Sequence, residues 1–274
     1  MHVAVVGDGP PLLLLHGWAM HGGVFAPLVD RLRDRYRLHL VDLPGHGHSR
    51  DSGVPLTLDA CVEAIIDQVP VAAWCGWSLG GLVALKAATA HPDRVSALAM
   101  LCASPRFVRE EADVASAAGT PGRWRWGMSA EIFDDFAAGL RDDWRATLDR
   151  FIALEALGSS DARGELRALR AALFARGEPA AAVLADGLDL LKTSDLRACL
   201  PALSVPNLWI AGRRDRLVDP RALRAAAACA KQSQCVSIEL GAHAPFLTHA
   251  DEVAGLLHQF FDSAAVISSN TGSQ

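Results

Sequence analysis

The feature that most constrains this sequence is a regular alternation of short apolar runs with longer amphipathic segments. Apolar runs that predict buried strands lie at residues 12–15, 38–41, 71–75, 95–101, 208–211 and 236–240. Segments with the spacing of helices lie at residues 24–32, 58–69, 79–90, 221–230 and 252–261. Strands that alternate with helices predict a mostly parallel sheet flanked by helices, which is an α/β fold.

The alternation is interrupted between residues 105 and 191, where no run resembles a strand. Amphipathic segments at residues 130–140, 144–157, 162–174 and 179–191 predict helices instead. A helical block inserted into an α/β chain predicts a lid over the sheet. We therefore divide the chain into a core (residues 1–104 and 192–262), a helical lid (residues 105–191) and a small, polar tail (residues 263–274) that is expected to be disordered.

The composition allows one large core and excludes several classes of function. Of 274 residues, 51% are hydrophobic, and the net charge of -5 argues against a nucleic-acid-binding protein, which usually has a basic excess. The apolar runs are too short to span a membrane, and the first residues lack the basic region of a signal peptide. The six cysteines are scattered without a C-x-x-C pair, which predicts neither a metal site nor a disulfide framework. We expect a cytoplasmic protein, and a monomer.

A predicted nucleophile lies between the strand at residues 71–75 and the helix at residues 79–90. Its context is the motif G-x-S-x-G, which needs a strand on one side and a helix on the other. The strained turn lifts the serine hydroxyl above the sheet edge, and the glycines allow neighbouring backbones to approach. The alternative is a glycine-rich turn without a catalytic role. The motif reads Gly76-Trp77-Ser78-Leu79-Gly80.

An acid and a base follow the serine along the chain. Asp215 comes just after the strand at residues 208–211, and His243 just after the strand at residues 236–240. Carboxyl ends of strands are where open α/β sheets place their sites, and the order Ser, Asp, His suits the serine motif. Asp219 and Asp42 are rival acids, although Asp219-Pro220 looks more like the start of a helix and Asp42 belongs to a turn-forming stretch.

These residues predict an ester hydrolysis that needs no metal and no cofactor. Ser78 requires a neighbouring base, His243, and Asp215 orients and stabilises that base. The turn His16-Gly17-Trp18 follows the first buried strand and can aim the Trp18 amide at the nucleophile. Together with the Leu79 amide it is predicted to form an oxyanion hole; a simple strand-terminal turn is the alternative.

Six segments carry a resemblance to a known family. Through them nearly the whole chain up to about residue 261 resembles the pimeloyl-acyl carrier protein methyl ester esterases of biotin synthesis, which are carboxylesterases of the α/β-hydrolase fold. This sequence departs from the family at Asp219, where the family often has proline, and at residues 109–125, which are not recognisable. The segments are His16-Gly17-Trp18, Val41-Asp42-Leu43-Pro44-Gly45, Gly76-Trp77-Ser78-Leu79-Gly80-Gly81-Leu82-Val83-Ala84, Arg150-Phe151-Ile152-Ala153-Leu154, Leu190-Leu191-Lys192-Thr193-Ser194-Asp195-Leu196-Arg197 and Ala242-His243-Ala244-Pro245-Phe246.

The resemblance implies a substrate and the residues that bind it. The family removes a methyl group from a pimeloyl chain that is still attached to acyl carrier protein. Phe151 and Leu154 have i, i+3 spacing on one predicted helix and could line an acyl channel, or could pack the lid on the sheet. The substrate-binding residues implied are Trp18, Ser78, Leu79, Phe151, Ile152, Ala153, Leu154, Glu155 and His243.

The lid also carries a group of arginines. Arg163, Arg167 and Arg170 share one face of a helix because they recur at i, i+4 and i+7. Such a face on an acidic protein suits an acidic partner such as a carrier protein, whose phosphopantetheine arm adds a phosphate. We assign the carrier contact to Arg150, Arg163 and Arg167. The alternative is a solvated face whose charge is offset by Glu155, Asp161 and Glu165.

Two other functions remain open from the sequence. A hydrolase of similar build could act on small free esters, lactones or C–C bonds. A non-catalytic ligand receptor on the same fold would show no turnover. Comparing a carrier-bound pimeloyl methyl ester with the free one separates these functions.

Overall fold

The strands that the sequence predicted form the middle of a single sheet. The computed structural model describes residues 1–111 and 122–271, and the side chains up to residue 264. Seven strands pair in the order β1-β3-β2-β4-β5-β6-β7, and all neighbours are parallel except β1 and β3. The prediction of a mostly parallel sheet is confirmed. The strands are β1 (His2–Val6), β2 (Pro11–Leu15), β3 (Arg37–Asp42), β4 (Ala72–Trp77), β5 (Val95–Leu101), β6 (Asn207–Gly212) and β7 (Ser233–Ile238).

The two edge strands are where the sequence prediction was incomplete. β1 was not predicted, and β7 begins three residues earlier than the predicted run at 236–240. Both strands are only partly buried, since Val5 is exposed and Ser233 is half-buried. An edge strand with one solvated side lacks the continuous apolar run that marks the central strands.

Helices cover the sheet in two groups. α1 packs against α9, whereas α2 packs against α3, and a short 3-10 helix (Arg197–Ala202) contacts both α3 and α7. The Thr57 hydroxyl accepts a hydrogen bond from the amide of Ala60, which makes this residue the N-cap of α2. The helices of the core are α1 (Ala26–Leu32), α2 (Leu58–Ile66), α3 (Leu79–Ala90), α7 (Pro220–Cys229), α8 (Pro245–Thr248) and α9 (Ala250–Thr271).

Three helices lie between β5 and β6, in the segment that the sequence assigned to the lid. They are α4 (Ala130–Glu155), α5 (Ala162–Phe174) and α6 (Ala181–Thr193), and α4 packs against the other two. α4 is kinked at Asp143, whose backbone is not helical and whose carboxylate accepts from the Ala146 amide as a new N-cap. The kink separates the two helices that the sequence predicted at residues 130–140 and 144–157.

The closing helix differs from the prediction. α9 continues to Thr271, so the disordered tail expected from residue 263 is wrong for the backbone up to residue 271. No glycine or proline lies between Gly255 and Gly272 to stop the helix. Ala264 is buried as Phe260 and Phe261 are, so the apolar face of the helix continues beyond the predicted end at residue 261.

Residues 109–125, which do not match the family, lie partly outside the described residues. At the described ends, the Arg109 amide donates to Met128 and the Glu110 amide to Trp124, over 2.9 and 2.8 Å. The Glu110 carboxylate also forms a buried ion pair with Arg197. The ends of this segment are therefore fixed to the core beside the carboxyl end of β5.

The order of the strands determines where a site can lie. The chain passes from β2 to β3 on one side and then returns across β2 to β4, so the direction of winding reverses between β2 and β4. At such a reversal the loops at the carboxyl ends diverge and leave a crevice. The loops after β2 and β4 are those that carry His16 and Ser78.

Candidate active site

Ser78 occupies the strained turn that its motif predicted. It lies between β4 and α3 with φ 53° and ψ -118°, a conformation that L-residues rarely adopt. The turn can form because the glycines on either side of Ser78 lack side chains. A Cβ on Gly76 would lie 2.3 Å from the Gly80 carbonyl oxygen, and a Cβ on Gly80 would lie 2.3 Å from the Leu15 carbonyl oxygen. The glycines of the motif are thus required by backbone contacts on both sides of the serine.

The structure brings Asp215 and His243 to Ser78. His243 Nδ1 lies 2.8 Å from Asp215 Oδ2, and His243 Nε2 lies 3.0 Å from Ser78 Oγ. Asp215 Oδ1 accepts from the amides of Leu217 and Val218, which fixes the carboxylate. The three side chains form the continuous hydrogen-bonded chain that a nucleophile, its base and an orienting acid require.

The surroundings of His243 favour its protonated form. Burial alone would lower the pKa of His243, but the charge and hydrogen bond of Asp215 raise it above its ordinary value, and Glu155 and Glu165 add to this rise when they are ionised. The indole N–H of Trp77 donates to the His243 carbonyl oxygen over 2.8 Å and holds the loop in place. A base that gains stability when it is protonated is suited to take the serine proton during attack.

The turn after β2 lies directly beside the nucleophile. A Cβ on Gly17 would be 3.2 Å from the Ser78 Cβ. His16 Nε2 accepts from the Leu43 amide, so its other nitrogen, Nδ1, carries the proton that is donated to the Gly17 carbonyl oxygen, 2.8 Å away. Burial, helped by His46, lowers the pKa of His16 to about 3, so the ring stays neutral and this pattern persists.

The two amides predicted for the oxyanion hole are both available in this arrangement. Within residues 1–111 and 122–271, no acceptor is found for the backbone N–H of Trp18 or of Leu79. Leu79 begins α3, where the first amides have no partner within the helix and the helix dipole favours negative charge. Free donors beside the serine are what a developing oxyanion needs, and the oxyanion hole remains our proposal for these two residues.

The rival acids have structural roles. Asp219 is the N-cap of α7 and pairs with Arg221, so its carboxylate is used within its own helix. Asp42 is completely buried; it accepts from the amides of Gly22 and His48 and binds Arg176 of the lid. Neither carboxylate hydrogen-bonds to His243.

Asp42→Asn is therefore expected to lower stability while leaving the hydrolysis of a small ester nearly unchanged. Burial alone would raise the pKa of Asp42, but the hydrogen bonds from the two amides and from Arg176 lower it. The ionised form thus contributes stability that is present at neutral pH and is lost as the pH falls through this lowered pKa. Losing it should cost about 3 kcal/mol in a neutral-pH denaturant titration. A large loss of kcat in the folded variant would contradict the structural role.

An apolar cavity lies above the triad. The sequence predicted Phe151 for this wall, and the structure places it there, edge-to-face with Trp18 at 4.6 Å between ring centroids. The predicted motif did not identify the other apolar wall residues, because helical spacing alone does not show which face of a lid helix meets the sheet. These further residues are Phe107, Met128, Ile132, Phe133, Phe136, Leu188, Leu191 and Leu217.

Residues 152–155 do not line this cavity. Ile152 is buried in the lid, Ala153 is exposed and Leu154 is half-buried. The Glu155 side chain is buried near His243, and its main-chain carbonyl accepts from the His243 amide over 3.3 Å. The acyl contacts of these four residues therefore stay a prediction. Phe151, in contrast, lies in the wall of the cavity.

The predicted carrier contacts are exposed. Arg150, Arg163 and Arg167 all lie on the surface, and within the described ranges none of them forms an ion pair. Arg170, on the same face as Arg163 and Arg167, pairs with Asp149. Beside these arginines is a shallow groove that contains Leu166 and the partly exposed ring of Phe174.

The acidic residues expected to offset these arginines do so only in part. Asp161 is exposed and caps α5, but Glu155 and Glu165 are both buried. The arginine face is thus more basic than the sequence pattern suggested. Such a surface favours an acidic partner.

Several classes of site are not found in residues 1–111 and 122–271. No cluster of residues there could hold a metal ion, and no helix there is long and apolar enough to cross a membrane. All six cysteines are free thiols, of which Cys61, Cys75 and Cys102 are buried.

The fold and the site together define an ester hydrolase of the α/β-hydrolase class. The family described as having the α/β hydrolase fold matches residues 10–250. Pimeloyl-[acyl-carrier protein] methyl ester esterases from Xanthomonas campestris and Stenotrophomonas maltophilia are 55% and 54% identical over 260 residues, which is 95% of this chain and 98% and 96% of those proteins. The chain belongs to the family of pimeloyl-[acyl-carrier protein] methyl ester esterases.

Solved structures of low identity share the fold. An esterase from Exiguobacterium antarcticum superimposes with a TM-score of 0.81 at 21% identity, covering 94% of both chains. An enol-lactonase from Burkholderia xenovorans superimposes with a TM-score of 0.79 at 21% identity, covering 95% of this chain and 96% of that one. Since both are distant in sequence, they support the architecture and not a particular substrate.

Proposed function

We propose that this protein is a serine carboxylesterase that hydrolyses the methyl ester of pimeloyl-acyl carrier protein in biotin synthesis. The observation that carries the proposal is the identity of 55%, over almost the full length of both proteins, to a relative named for this activity. The hydrogen-bonded chain from Asp215 through His243 to Ser78 supports the chemistry. No cofactor or metal is needed for it.

The reaction follows from the geometry of the triad. His243 Nε2 takes the Ser78 proton while Oγ bonds to the ester carbonyl carbon, and the oxyanion is held by the amides of Trp18 and Leu79. As the tetrahedral intermediate collapses, His243 gives the proton to the leaving methanol. Water then repeats the sequence on the acyl-enzyme, which releases the free carboxylate and restores Ser78. Asp215 stabilises the imidazolium in both halves.

The lid supplies the contacts for the acyl chain and for its carrier. The apolar cavity between α4, α6 and the triad accommodates the methylene chain, with Phe151 on its wall and Trp18 packed against Phe151. Arg150, Arg163 and Arg167 lie on the outer surface, where an acidic carrier protein would meet them. Such contacts act far from the reacting carbonyl, so a small free ester does not use them.

The arginine face can be tested by charge reversal. The double variant Arg163→Glu with Arg167→Glu should lower kcat/KM for pimeloyl-carrier methyl ester about tenfold at low salt, since charge pairs at a wet rim chiefly raise association rates. Hydrolysis of free pimeloyl methyl ester should hardly change. The preference of the unmodified protein for the carrier-linked ester should shrink as salt screens the charges.

A matched control is Arg33→Glu with Arg37→Glu. These arginines are also exposed, with only a long contact of 3.9 Å between Arg33 and Asp30, and they lie near the amino end of β3, at the edge of the sheet opposite to the site. The control should behave as the unmodified protein does. An equal loss on both esters in the lid variant would mean that the lid was destabilised, and no loss on either would mean that the arginines form a solvated face. Equal kcat/KM of the unmodified protein for both esters would favour a small-ester hydrolase.

A further inference from the structure

Two buried carboxyl groups of the lid have no role in the reaction described so far. Glu155 and Glu165 are each 1% exposed. In the part of the chain that the structure describes, neither carboxyl oxygen of Glu155 has a hydrogen-bond partner, and Glu165 has only the Ser159 hydroxyl and the Ala244 amide beside it. Burying a carboxylate without a partner is costly, so such groups either hold a proton or serve a function.

The turn that joins these residues packs on both loops of the triad. Glu155 ends α4, and its carbonyl accepts from the His243 amide. In the same turn, a Cβ on Gly158 would lie 2.5 Å from the main-chain oxygen of Arg214, next to Asp215. The end of α4 and the start of α5 therefore rest directly on the segments that position the base and its acid.

The charged and titratable groups around this pair belong to the same cluster. They are His243 and Asp215 from the two loops, and the Cys102 thiol at the end of β5, whose pKa is raised by burial. Burial raises the pKa of Glu155 to about 8, against the attraction of His243. Burial also raises the pKa of Glu165 to about 7, against the nearby Ser159 hydroxyl and Ala244 amide. Glu165 raises the pKa of Glu155 further.

We propose that Glu155 and Glu165 are positioning residues. While both hold protons, they keep the α4–α5 turn packed against the loop of His243, and when both ionise, the turn is released from that loop. In the protonated state the pair adds no charge to the buried cluster. Once both are ionised, three carboxylates surround one imidazole, and their repulsion acts on the turn that contacts the His243 amide. This inference rests on the proposed role of His243 as the general base.

The direction of the pH effect follows from linkage. A carboxyl whose pKa is higher in the folded than in the unfolded protein binds more protons when folded. Stability therefore falls as the pH rises from the ordinary carboxyl range toward the raised value, and the full penalty is present above it. For this pair the decline should continue up to about pH 8. Because the groups interact, the observed midpoints belong to the cluster and not to one residue.

The experiment compares pH profiles of the full-length protein with those of the double variant Glu155→Gln with Glu165→Gln. Glutamine has the same shape but cannot ionise. With 4-nitrophenyl butyrate as substrate, kcat/KM of the unmodified protein should fall about fivefold between pH 8 and pH 9, since the protonated fraction of a group falls from about one half at its pKa to about one tenth at one pH unit above it. The double variant should change by less than about twofold over this interval, whatever its value at pH 7.

The control variant is Glu131→Gln, on the exposed start of α4, which should keep the alkaline fall of the unmodified protein. An equal alkaline fall in the double variant would overturn the proposal. Melting temperatures of the inactive variant Ser78→Ala between pH 6 and pH 9 supply a readout without catalysis. They should decline more steeply than those of the same variant with both glutamines, and equal slopes would likewise overturn it. Loss of all hydrolysis in the unmodified protein would instead contradict the esterase function and leave the melting test valid.

Discussion

Replacing Ser78 with alanine is expected to lower kcat for ester hydrolysis by about 10⁶-fold, the scale seen when the nucleophile of another serine hydrolase is removed. Ser78 is the residue whose hydroxyl lies 3.0 Å from the base, and it sits on the turn that presents it above the sheet. Alanine at this position adopts the same backbone strain without new contacts. The measurement is kcat for pimeloyl-carrier methyl ester and for a small ester.

Ser96→Ala provides the control for this loss. Ser96 is exposed at the start of β5, near the edge of the sheet opposite to the site, and its replacement should change neither activity nor melting temperature by much. Circular dichroism and melting curves should show that Ser78→Ala remains folded. Turnover close to that of the unmodified protein in a purified, folded Ser78→Ala variant would contradict the proposed triad.

The second large effect is expected for Asp215→Asn. Its carboxylate holds His243 Nδ1 at 2.8 Å and is itself fixed by two amides. Asparagine preserves the shape but removes the charge and allows the wrong tautomer of the imidazole, which lowered kcat about 10⁴-fold in another serine hydrolase. Since Asp215 also raises the pKa of His243, the acidic limb of the remaining kcat/KM profile should move to lower pH.

Asp219→Asn is the matched control for the acid. Asp219 is four residues further along the same loop, but its carboxylate caps α7 and pairs with Arg221. Asparagine is nearly as good an N-cap as aspartate, so both kcat and stability should stay close to those of the unmodified protein. If Asp219→Asn lost activity and Asp215→Asn kept it, the assignment of the acid would be reversed.

The triad could be predicted from the sequence because each member has a local signal. Ser78 lies in a motif with a fixed backbone, while Asp215 and His243 follow apolar runs that mark central, buried strands. The carboxyl ends of parallel strands converge at one edge of the sheet, so the three positions meet without knowledge of the loops. The same reasoning separated Asp219 from the acid, because proline after an aspartate marks the start of a helix.

Other features depend on packing that leaves no local signal. The roles of Ile132 and Phe136 in the cavity depend on how α4 is rotated about its axis, which a helical pattern does not specify. Glu165 is the clearest example of a position whose surroundings the sequence does not reveal. From sequence it belonged to a solvated face beside Arg163 and Arg167, yet it is buried next to the triad because α5 packs against the loop of His243.

The buried pair between Arg176 and Asp42 has a consequence for exchanging lids between members of this fold. Asp42 belongs to the core, at the end of β3, whereas Arg176 follows α5 in the lid. A foreign lid grafted onto this core must bring a cation to the same point, or the core must lose its buried carboxylate at the same time. The core and the lid are thus compatible only as a matched pair, even though the lid is a separate insertion between β5 and β6.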